Sequence, residues 1–449
     1  MKKIHFIAIG GAAMHNLAIA LRKKEYEITG SDDEIFEPSR TRLAQHGLLP
    51  PQWGWYPEKI TPDLDAVILG MHALADNPEL LKAQSLRLKI YSYPEYLYEQ
   101  TADKRRIVIA GSHGKTTITA MVIHALTLSG RAIDFMVGSQ IEGFDAMVSL
   151  REDSRIAVFE GDEYLTSPLD PRPKFMHYKP DITLISGIAW DHINVFPTFD
   201  IYVEQFRNLV TSIQQGGRLI WYKGDELLTG LAEECNEKVT KISYREHPFI
   251  LEDDQLFLLT EKGKKVAFRL FGRHNLQNVN GARMVCREAG LTDEEFYRAI
   301  SSFPGTKKRL QELKREGDFV CYLDFAHSPS KVRATVDAVR ERYPDKKLTA
   351  ILELHTFSSL KKEFIPHYRG TLASADEAIV YFDRNVIEHK KLEVVTTGFI
   401  RRSFAGNNVD VIDNAGELSS YIKKTDKRNR VLLLMSSGSF SGLKIEELL

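Results

Sequence analysis

Short runs of apolar residues alternate with longer stretches of helical character along the whole chain. Such runs lie at Ile4–Ile9, Ile107–Ala110 and Phe319–Leu323, and glycine or a polar residue follows each of them directly. Runs of this length and character are typical of strands that are buried on both faces of a parallel sheet. Because helical patterns separate the runs, the sequence predicts an α/β protein.

The same pattern divides the chain into three parts. At about 150 residues per domain, a chain of 449 residues has room for three domains. The polar stretch Gln100–Arg106 and the turn Phe303-Pro304-Gly305 mark the boundaries, which predicts domains at residues 1–101, 102–302 and 303–449. The other predicted strands are Tyr26–Gly30, Asp65–Gly70, Arg155–Phe159, Asp181–Ser186, Leu348–Leu352, Ala378–Phe382, Val409–Ile412 and Val431–Met435. Predicted helices include Met14–Lys23, Ile118–Leu128 and Val279–Glu288.

The stretch IVIAGSHGKTT predicts a phosphate-binding loop. A buried strand leads into Gly111 and Gly114, and Lys115 and Thr116 open a helix. Glycines let backbone N–H groups close around a phosphate, and the helix N-terminus adds partial positive charge. A lysine in this place reaches the β- and γ-phosphates, and the threonine hydroxyl can ligate Mg²⁺. The loop is shorter than GxxxxGK[ST], because Ile109 stands where the first glycine would be.

Polar side chains follow other predicted strands. Glu160 comes directly after one strand of the middle part, and His192 follows the next. In an α/β sheet, ligands bind outside the carboxyl ends of the strands, so both side chains could hold metal ions there. A solvated acidic turn and an ordinary loop histidine are the alternatives. Asn275 and Asn278 lie before a predicted helix, where capping is the interpretation that composition favours over contact with a base.

The N-terminal part has some features of a dinucleotide-binding fold. Gly10-Gly11 forms a turn after the first strand, and Asp32 lies 22 residues beyond Gly10, where such folds place a ribose-binding acid. The GxGxxG fingerprint is incomplete, since Ala8 and Ala13 stand near its other glycine positions. An NAD-dependent oxidoreductase is therefore an alternative, and the Lys-Thr pair of the phosphate loop argues against it.

Composition narrows the classes of partner and compartment. Lys and Arg number 60 against 61 Asp and Glu, so no net field favours nucleic acid or an anionic membrane. The three cysteines show no CxxC spacing, which argues against a disulfide framework and fits a reducing compartment. The N-terminal apolar stretch is interrupted by His5 and Gly10 and is better explained as a strand and turn than as a signal peptide. No run approaches ~18 apolar residues, so we expect a cytoplasmic protein with no membrane span.

Taken in order, the motifs resemble those of the Mur ligase family. The resemblance covers essentially the whole chain, and it implies three domains: a Rossmann-like UDP-binding domain, a central P-loop ATPase domain and a Rossmann-like C-terminal domain. It also implies ATP and two Mg²⁺ ions as cofactors and UDP-N-acetylmuramate as a substrate. We expect a monomer or weak dimer. The motifs are IHFIAIGGAAM, AGSHGKTT, FEGDEY, WDH, GRHNLQN, GTKKRL, LDFAHSP and SSGSFSG.

The resemblance assigns roles residue by residue. It implies catalytic roles for Lys115, Glu160, His192 and Arg309, and metal binding by Thr116, Glu160 and His192. The implied UDP-sugar-binding residues are Gly10, Gly11, Ser31, Asp32 and His72. The implied ATP-binding residues are Gly111, Ser112, His113, Gly114, Lys115, Thr116, Thr117, Asn275, Asn278, Arg309 and Asp324.

The amine substrate is the least determined part of the resemblance. EGDEY followed by the insertion Asp170–Pro180 is similar to the branch that attaches L-alanyl-γ-D-glutamyl-meso-diaminopimelate to UDP-N-acetylmuramate in peptidoglycan recycling. The branch that attaches L-alanine is the alternative. His355 stands where the peptide-attaching branch has arginine, which leaves diaminopimelate or lysine open as the third residue. A non-catalytic UDP-sugar sensor also stays open, because Leu323, Ser328, Gly187 and Ala189 depart from residues common in the family.

Overall fold

The structure is a computed structural model of the chain. It describes residues 1–71, 73–138, 146–167, 169–190, 195–252, 255–306, 308–390, 392–405 and 409–449. These residues form two compact units. One comprises Met1–Ile188, Asp200–Arg245 and Asn278–Phe303, and the other comprises Ala189–Phe199, Glu246–Gln277 and Pro304–Leu449. The predicted boundaries of three domains stay a prediction.

The N-terminal sheet has four parallel strands in the order β2-β1-β3-β4. Ile7, Val67 and Leu69 of this sheet pack into one buried apolar cluster with Leu80. The elements are β1 (Lys3–Ile7), α1 (Ala12–Lys23), β2 (Glu27–Ser31), α2 (Ser39–Gln45), a 3₁₀ helix (Pro57–Lys59), β3 (Ala66–Leu69), α3 (Pro78–Ser85), β4 (Ile90–Ser92) and α4 (Tyr93–Thr101).

The same unit contains a seven-stranded sheet in the order β13-β12-β11-β5-β8-β6-β7, parallel except for β7. A short antiparallel hairpin, β9 and β10, follows β8. The elements are β5 (Arg105–Ala110), α5 (Lys115–Leu128), β6 (Ile133–Met136), β7 (Val148–Ser149), β8 (Ile156–Glu160), β9 (Leu165–Ser167), β10 (Asp170–Pro173), a 3₁₀ helix (Lys174–His177), β11 (Ile182–Ile185), α6 (Phe199–Ser212), β12 (Arg218–Tyr222), α7 (Glu226–Glu233) and β13 (Thr240–Tyr244).

The chain then forms an antiparallel sheet of β14 (Phe249–Glu252), β15 (Gln255–Leu259) and β16 (Lys265–Phe268), followed by α8 (Arg273–Glu288) and α9 (Asp293–Ile300). The final sheet has the order β17-β18-β22-β19-β20-β21 and is parallel except for β17. Its elements are β17 (Gln311–Glu316), β18 (Phe319–Asp324), α10 (Pro329–Arg342), β19 (Lys347–Glu353), a 3₁₀ helix (Ile365–Tyr368), β20 (Glu377–Tyr381), α11 (Arg384–His389), α12 (Thr397–Phe404), β21 (Val409–Ile412), α13 (Ala415–Lys424), β22 (Arg430–Met435), a 3₁₀ helix (Phe440–Gly442) and α14 (Ile445–Leu448).

The predicted α/β class is confirmed, and each predicted strand lies within two residues of its observed ends. Helix starts were predicted less well than strands. The helix α5 begins at Lys115 and not at Ile118, and the start of α8 lies furthest from its prediction. The prediction began α8 at Val279, whereas the helix begins at Arg273, because Leu276 supplies an earlier buried position that polar neighbours hide in the sequence. The three cysteines are unpaired and buried. Among the described residues, no helix has the length and apolar character needed to cross a bilayer.

Candidate active site

The phosphate loop is built at the carboxyl end of β5, where Gly111–Gly114 lead into α5. Gly111 has φ +122° and Gly114 has φ +75°, which are left-handed conformations that side chains rarely adopt. A Cβ on Gly111 would collide with Ser186, and one on Gly114 would collide with the side-chain oxygen of Asn278. Glycine at both positions therefore lets the loop pass close to its neighbours.

Lys115 is the first residue of α5, and its ammonium group is held inside the loop. The Nζ atom donates to the Gly111 carbonyl at 2.7 Å and to Oε2 of Glu163 at 2.8 Å. Burial alone would lower the pKa of Lys115, but the negative charges of Glu163 and Asp162 outweigh it and raise that pKa. Lys115 is thus a positive charge, fixed in place, that can receive an anion.

Glu163 links Lys115 to a second hydrogen-bonded chain. Its side chain is fully buried, and its Oε1 accepts a hydrogen bond from the Tyr202 hydroxyl at 3.0 Å. The same hydroxyl lies 2.8 Å from Oγ of Ser112, a residue of the phosphate loop. Glu163 lies in the acidic FEGDEY motif, and no role was predicted for it because a motif does not show which acid points at the lysine.

We expect the Glu163→Gln variant to be less stable without nucleotide and to gain more stability from ATP. Removing one partner of a buried ion pair costs about 3–5 kcal/mol, and phosphate oxygens can replace the missing carboxylate at Lys115. The measurement is the melting temperature with and without Mg-ATP. The control is Glu204→Gln, which removes a half-exposed partner of Arg207 on α6. Equal melting temperatures and equal ATP shifts for both variants would contradict the assignment.

Thr116, in the first turn of α5, meets Glu160 at the carboxyl end of β8, the strand that pairs with β5. The Thr116 hydroxyl donates to Oε1 of Glu160 at 2.7 Å, and the Gly138 N–H donates to Oε2 at 2.6 Å. Burial and the nearby charge of Asp162 raise the pKa of Glu160. A carboxylate and a hydroxyl are hard oxygen ligands of the kind that Mg²⁺ binds, so these two residues fit a magnesium ion.

The two asparagines of the GRHNLQN motif lie inside α8 rather than before it. Asn275 is the third residue of the helix, and its side-chain amide donates to the Phe271 carbonyl at 2.9 Å. Asn278 lies one turn later with its side-chain oxygen against Gly114. The capping interpretation is therefore wrong, because an N-cap residue stands before the first helical residue. Asn278 instead lies at the phosphate loop.

Arg309 and Asp324 lie together in the second compact unit. The Arg309 guanidinium stands over the Phe325 ring at 5.0 Å. Asp324 is buried, and its two carboxylate oxygens accept hydrogen bonds from the backbone N–H groups of Leu310 and Ala326, each at 2.7 Å. Its carboxylate therefore shapes the loop that carries Arg309. Burial lowers the pKa of His274 next to this group.

The N-terminal sheet brings the glycine turn against β2. The Gly10 N–H donates to Oδ2 of Asp32 at 2.7 Å, and Lys59 donates to Oγ of Ser31 at 3.1 Å. Burial, with the neighbouring Asp33, raises the pKa of Asp32 to about 6. Lys59, which was not among the predicted residues, reaches the end of β2 from the 3₁₀ helix Pro57–Lys59 and also donates to the Gly30 carbonyl at 3.2 Å. Gly11 stands directly before α1.

Two predicted site residues, His72 and His192, lie outside the described residues. The structure brings two sets of predicted residues together. The phosphate-loop residues and Asn278, all predicted to bind ATP, lie beside Glu160, which was predicted to bind metal. The backbone of the loop is supported from β11, because the Ser112 N–H donates to the Gly187 carbonyl at 2.9 Å and Ser186 donates to the His113 carbonyl. Thr117 is buried in the first turn of α5.

A phosphate loop on a mostly parallel sheet, with a carboxylate and a hydroxyl beside it, defines a nucleotide-binding enzyme of the P-loop type. Comparison with protein families gives the particular class. The Mur ligase family, catalytic domain, matches residues 3–105, the Mur ligase middle domain matches 109–286, and the Mur ligase, glutamate ligase domain, matches 308–438. The chain belongs to the Mur ligase family. Members of this family are ATP-dependent, ADP-forming ligases.

Curated relatives of two kinds align along nearly the whole chain. UDP-N-acetylmuramate–L-alanyl-γ-D-glutamyl-meso-2,6-diaminoheptandioate ligase of Escherichia coli (strain K12) is 28% identical and aligns with 98% of this chain and 96% of its own length. UDP-N-acetylmuramate–L-alanine ligase of Desulfitobacterium hafniense (strain Y51) is 26% identical, with 97% of each chain covered. By their names, the two kinds of relative share UDP-N-acetylmuramate as a substrate and differ in the amine that they attach to it.

Solved structures show the same fold. The murein peptide ligase of Psychrobacter arcticus 273-4 aligns with a TM-score of 0.67 at 23% identity, over 98% of this chain and 97% of the other. The UDP-N-acetylmuramate–alanine ligase of Thermotoga maritima aligns with a TM-score of 0.72 at 20% identity, over 100% and 98%. The predicted three-part Mur ligase architecture is confirmed as a fold class.

Proposed function

We propose that this chain uses ATP to join the amine of a peptide to the lactyl carboxylate of UDP-N-acetylmuramate. The proposed peptide is L-alanyl-γ-D-glutamyl-meso-diaminopimelate. The observation that carries the proposal is the pairing at the ends of β5 and β8. Lys115 there presents a fixed positive charge, and Thr116 and Glu160 present oxygen ligands beside it. Relatives named as UDP-N-acetylmuramate ligases support the choice of substrate.

The chemistry explains why such a site is needed. A carboxylate is a poor acyl donor because its oxygen is a poor leaving group. Transfer of the γ-phosphoryl group of ATP to the carboxylate releases ADP and forms an acyl phosphate. The peptide amine then attacks the acyl carbon, the C–O bond to phosphate breaks, and the amide forms as the amine loses a proton. The products are the amide, ADP and inorganic phosphate.

The proposed roles follow from charge. Two anions, a carboxylate and the ATP phosphates, must approach each other, and Lys115 lowers their repulsion. Thr116 and Glu160 would hold Mg²⁺, which supplies further neutralisation of phosphate charge when it is bound. The phosphate loop, Asn275, Asn278 and Asp324 would hold ATP, with Arg309 contacting the nucleotide. A second ion at His192 belongs to the same proposal.

UDP-N-acetylmuramate would bind at the glycine turn of the N-terminal sheet. Gly10 and Gly11 open α1, whose N-terminus favours phosphate groups, and Ser31 and Asp32 stand beside it. Lys59 brings a positive charge to the same turn, since its ammonium contacts Ser31. His72 completes the proposed set. We also propose a cytoplasmic location and a monomer or weak dimer.

The peptide substrate is supported by the hairpin insertion and by one additional cation. Lys390 donates to the His355 carbonyl at 2.6 Å. Burial lowers the pKa of Lys390, and the negative charge of Glu353 opposes that shift and favours the charged form. His355 packs against Gly438 of the SSGSFSG loop, where a Cβ would lie 2.7 Å from the ring. A carboxylate of the peptide could use Lys390 in place of the arginine that His355 replaces. Binding energy from such a remote group helps to position the amine.

We expect the tripeptide to be preferred over free L-alanine. In a competition assay with both acceptors at equal concentration, kcat/KM should be at least about tenfold higher for the tripeptide, which corresponds to 1.4 kcal/mol of transition-state binding. Lys390→Ala should lower kcat/KM for the tripeptide and leave that for L-alanine unchanged. A higher kcat/KM for L-alanine would contradict this expectation and identify the chain as an L-alanine ligase. Relatives named as UDP-N-acetylmuramate–L-alanine ligases support that alternative. The same assay with a tripeptide that carries lysine in place of diaminopimelate shows which third residue the chain prefers.

A further inference from the structure

The hairpin insertion carries a cluster of possible metal ligands outside the proposed active-site set. The hairpin and the 3₁₀ helix that follows it place Asp170 and His177 beside Glu95 of α4. Each of the three side chains offers one ligand atom, and these atoms lie within 4.8 Å of one another. The three residues come from separate elements, so the fold and not local sequence brings them together.

His177 is the residue of the cluster whose surroundings indicate a bound ligand. It is 7% exposed, and its Nε2 atom is buried without a hydrogen bond among the described residues. Asp170 Oδ2 is 3.3 Å away, but the arrangement is not that of a hydrogen bond. A buried polar atom without a hydrogen bond costs free energy, and a bound cation would remove that cost.

The two carboxylates differ in what else they bind. Glu95 uses Oε2 to accept hydrogen bonds from the N–H and hydroxyl of Ser92, while its Oε1 lies 3.9 Å from Nδ1 of His177. Its side chain is 38% exposed, which opens the cluster to solvent. Asp170 is less exposed and forms an ion pair with Arg172 at 2.6 Å. An ion can therefore enter from the Glu95 side.

We propose that Glu95, Asp170 and His177 bind a first-row divalent cation, with Zn²⁺ as the best-matched ion. One imidazole nitrogen and two carboxylate oxygens suit zinc, and three protein ligands leave a fourth position for water. The ion would tie α4 of the N-terminal sheet to the hairpin that follows the acidic motif. This site is independent of the proposed ligase reaction.

Arg172 is the natural competitor of the ion. Its side chain is 63% exposed, and its guanidinium donates to both carboxylate oxygens of Asp170. A guanidinium and a metal ion repel each other, so the ion displaces Arg172 toward solvent. The Arg172→Gln variant removes this competition and should bind the ion more tightly than the unmodified protein.

The test is calorimetric titration of the tag-free full chain with Zn²⁺ in excess Mg²⁺, which keeps Mg²⁺ sites filled. We expect one tight equivalent, with affinity at least about tenfold weaker in Glu95→Gln, Asp170→Asn and His177→Gln. Glu99→Gln, an exposed carboxylate one turn further along α4, is the matched control and should equal the unmodified protein. Co²⁺ absorption should show imidazole and carboxylate ligation that is lost in the same three variants.

Two results would overturn the proposal. One is the absence of a tight Zn²⁺ equivalent in the unmodified protein, and the other is equal affinity in Glu95→Gln, Asp170→Asn and the Glu99→Gln control. Glu95 is half-exposed, so its variant keeps the experiment decisive even where His177→Gln fails to fold. Circular dichroism confirms folding of each variant before titration. The test compares Zn²⁺ affinities alone and not ligase activities, because the three residues lie outside the proposed active-site set.

Discussion

Replacing Lys115 by alanine should abolish ADP formation while UDP-N-acetylmuramate still binds. Loss of one preorganised charge at a reacting group typically costs at least about 10²–10³-fold in kcat. The proposed UDP-binding turn, in contrast, is held by Asp32 and Ser31 of the N-terminal sheet. The measurements are an ADP-release assay and calorimetric titration with UDP-N-acetylmuramate.

The structure also indicates the control that this variant requires. Lys115→Ala leaves the fully buried Glu163 without its ion-pair partner, which costs about 3–5 kcal/mol of stability. The double variant Lys115→Ala/Glu163→Gln removes the unpaired charge, so it should regain stability without regaining activity. A double variant that turns over ATP at the normal rate, or a folded one that loses UDP-N-acetylmuramate binding, would contradict the division of ligands between the two sites.

Replacing Glu160 by glutamine should leave the chain nearly inactive and raise the Mg²⁺ concentration required for half-maximal rate. Glutamine keeps the volume and one acceptor for the Thr116 hydroxyl, but it removes the negative charge that a metal ion needs. We expect a fall in kcat of about 10²–10³-fold, as for loss of one electrostatic group at a reacting centre. The measurement is initial rate against Mg²⁺ concentration.

Thr116 supplies the matched pair of controls for this prediction. Thr116→Ser keeps the hydroxyl that donates to Glu160, whereas Thr116→Val removes it at similar volume. The serine variant should keep near-normal Mg²⁺ dependence, and the valine variant should resemble Glu160→Gln. Full activity of EDTA-treated enzyme, or equal Mg²⁺ dependence in all three variants, would exclude the magnesium assignment.

The sequence predicted β5, β8 and β11 of the seven-stranded sheet and every parallel strand of the final sheet, because these apolar runs are short, buried and bounded by glycine or polar residues. The remaining strands of the two sheets, β6, β7, β12, β13 and β17, were not predicted individually. The phosphate loop followed from the same reasoning, since β5, Gly111, Gly114 and α5 are consecutive in the chain. The start of α8 could not be found in this way. Its first turn is polar, and its position depends on the fit of Leu276 and Asn275 to the surrounding fold.

The residues that the sequence did not predict are brought to their sites by contacts between distant parts of the chain. Glu163 meets Lys115 from 48 residues away, and Tyr202 meets Glu163 from a further 39. Lys59 reaches Ser31, at the end of β2, from another element. His177 meets Glu95 only because the hairpin packs beside α4. None of these pairs has a spacing that a local pattern can show, whereas side chains placed at strand ends, such as Glu160, were predictable.

In the proposed reaction, ATP is consumed only to join an amine to UDP-N-acetylmuramate. The most direct test mixes the chain with Mg-ATP, UDP-N-acetylmuramate and the tripeptide, then omits each substrate in turn, with ADP release and product mass as readouts. We expect equal amounts of ADP and of a product whose mass is the sum of UDP-N-acetylmuramate and the tripeptide less water. We expect no sustained turnover when any one substrate is missing. Binding of UDP-N-acetylmuramate without ADP release, across a panel of amines, would exclude the ligase reaction and indicate a non-catalytic sensor.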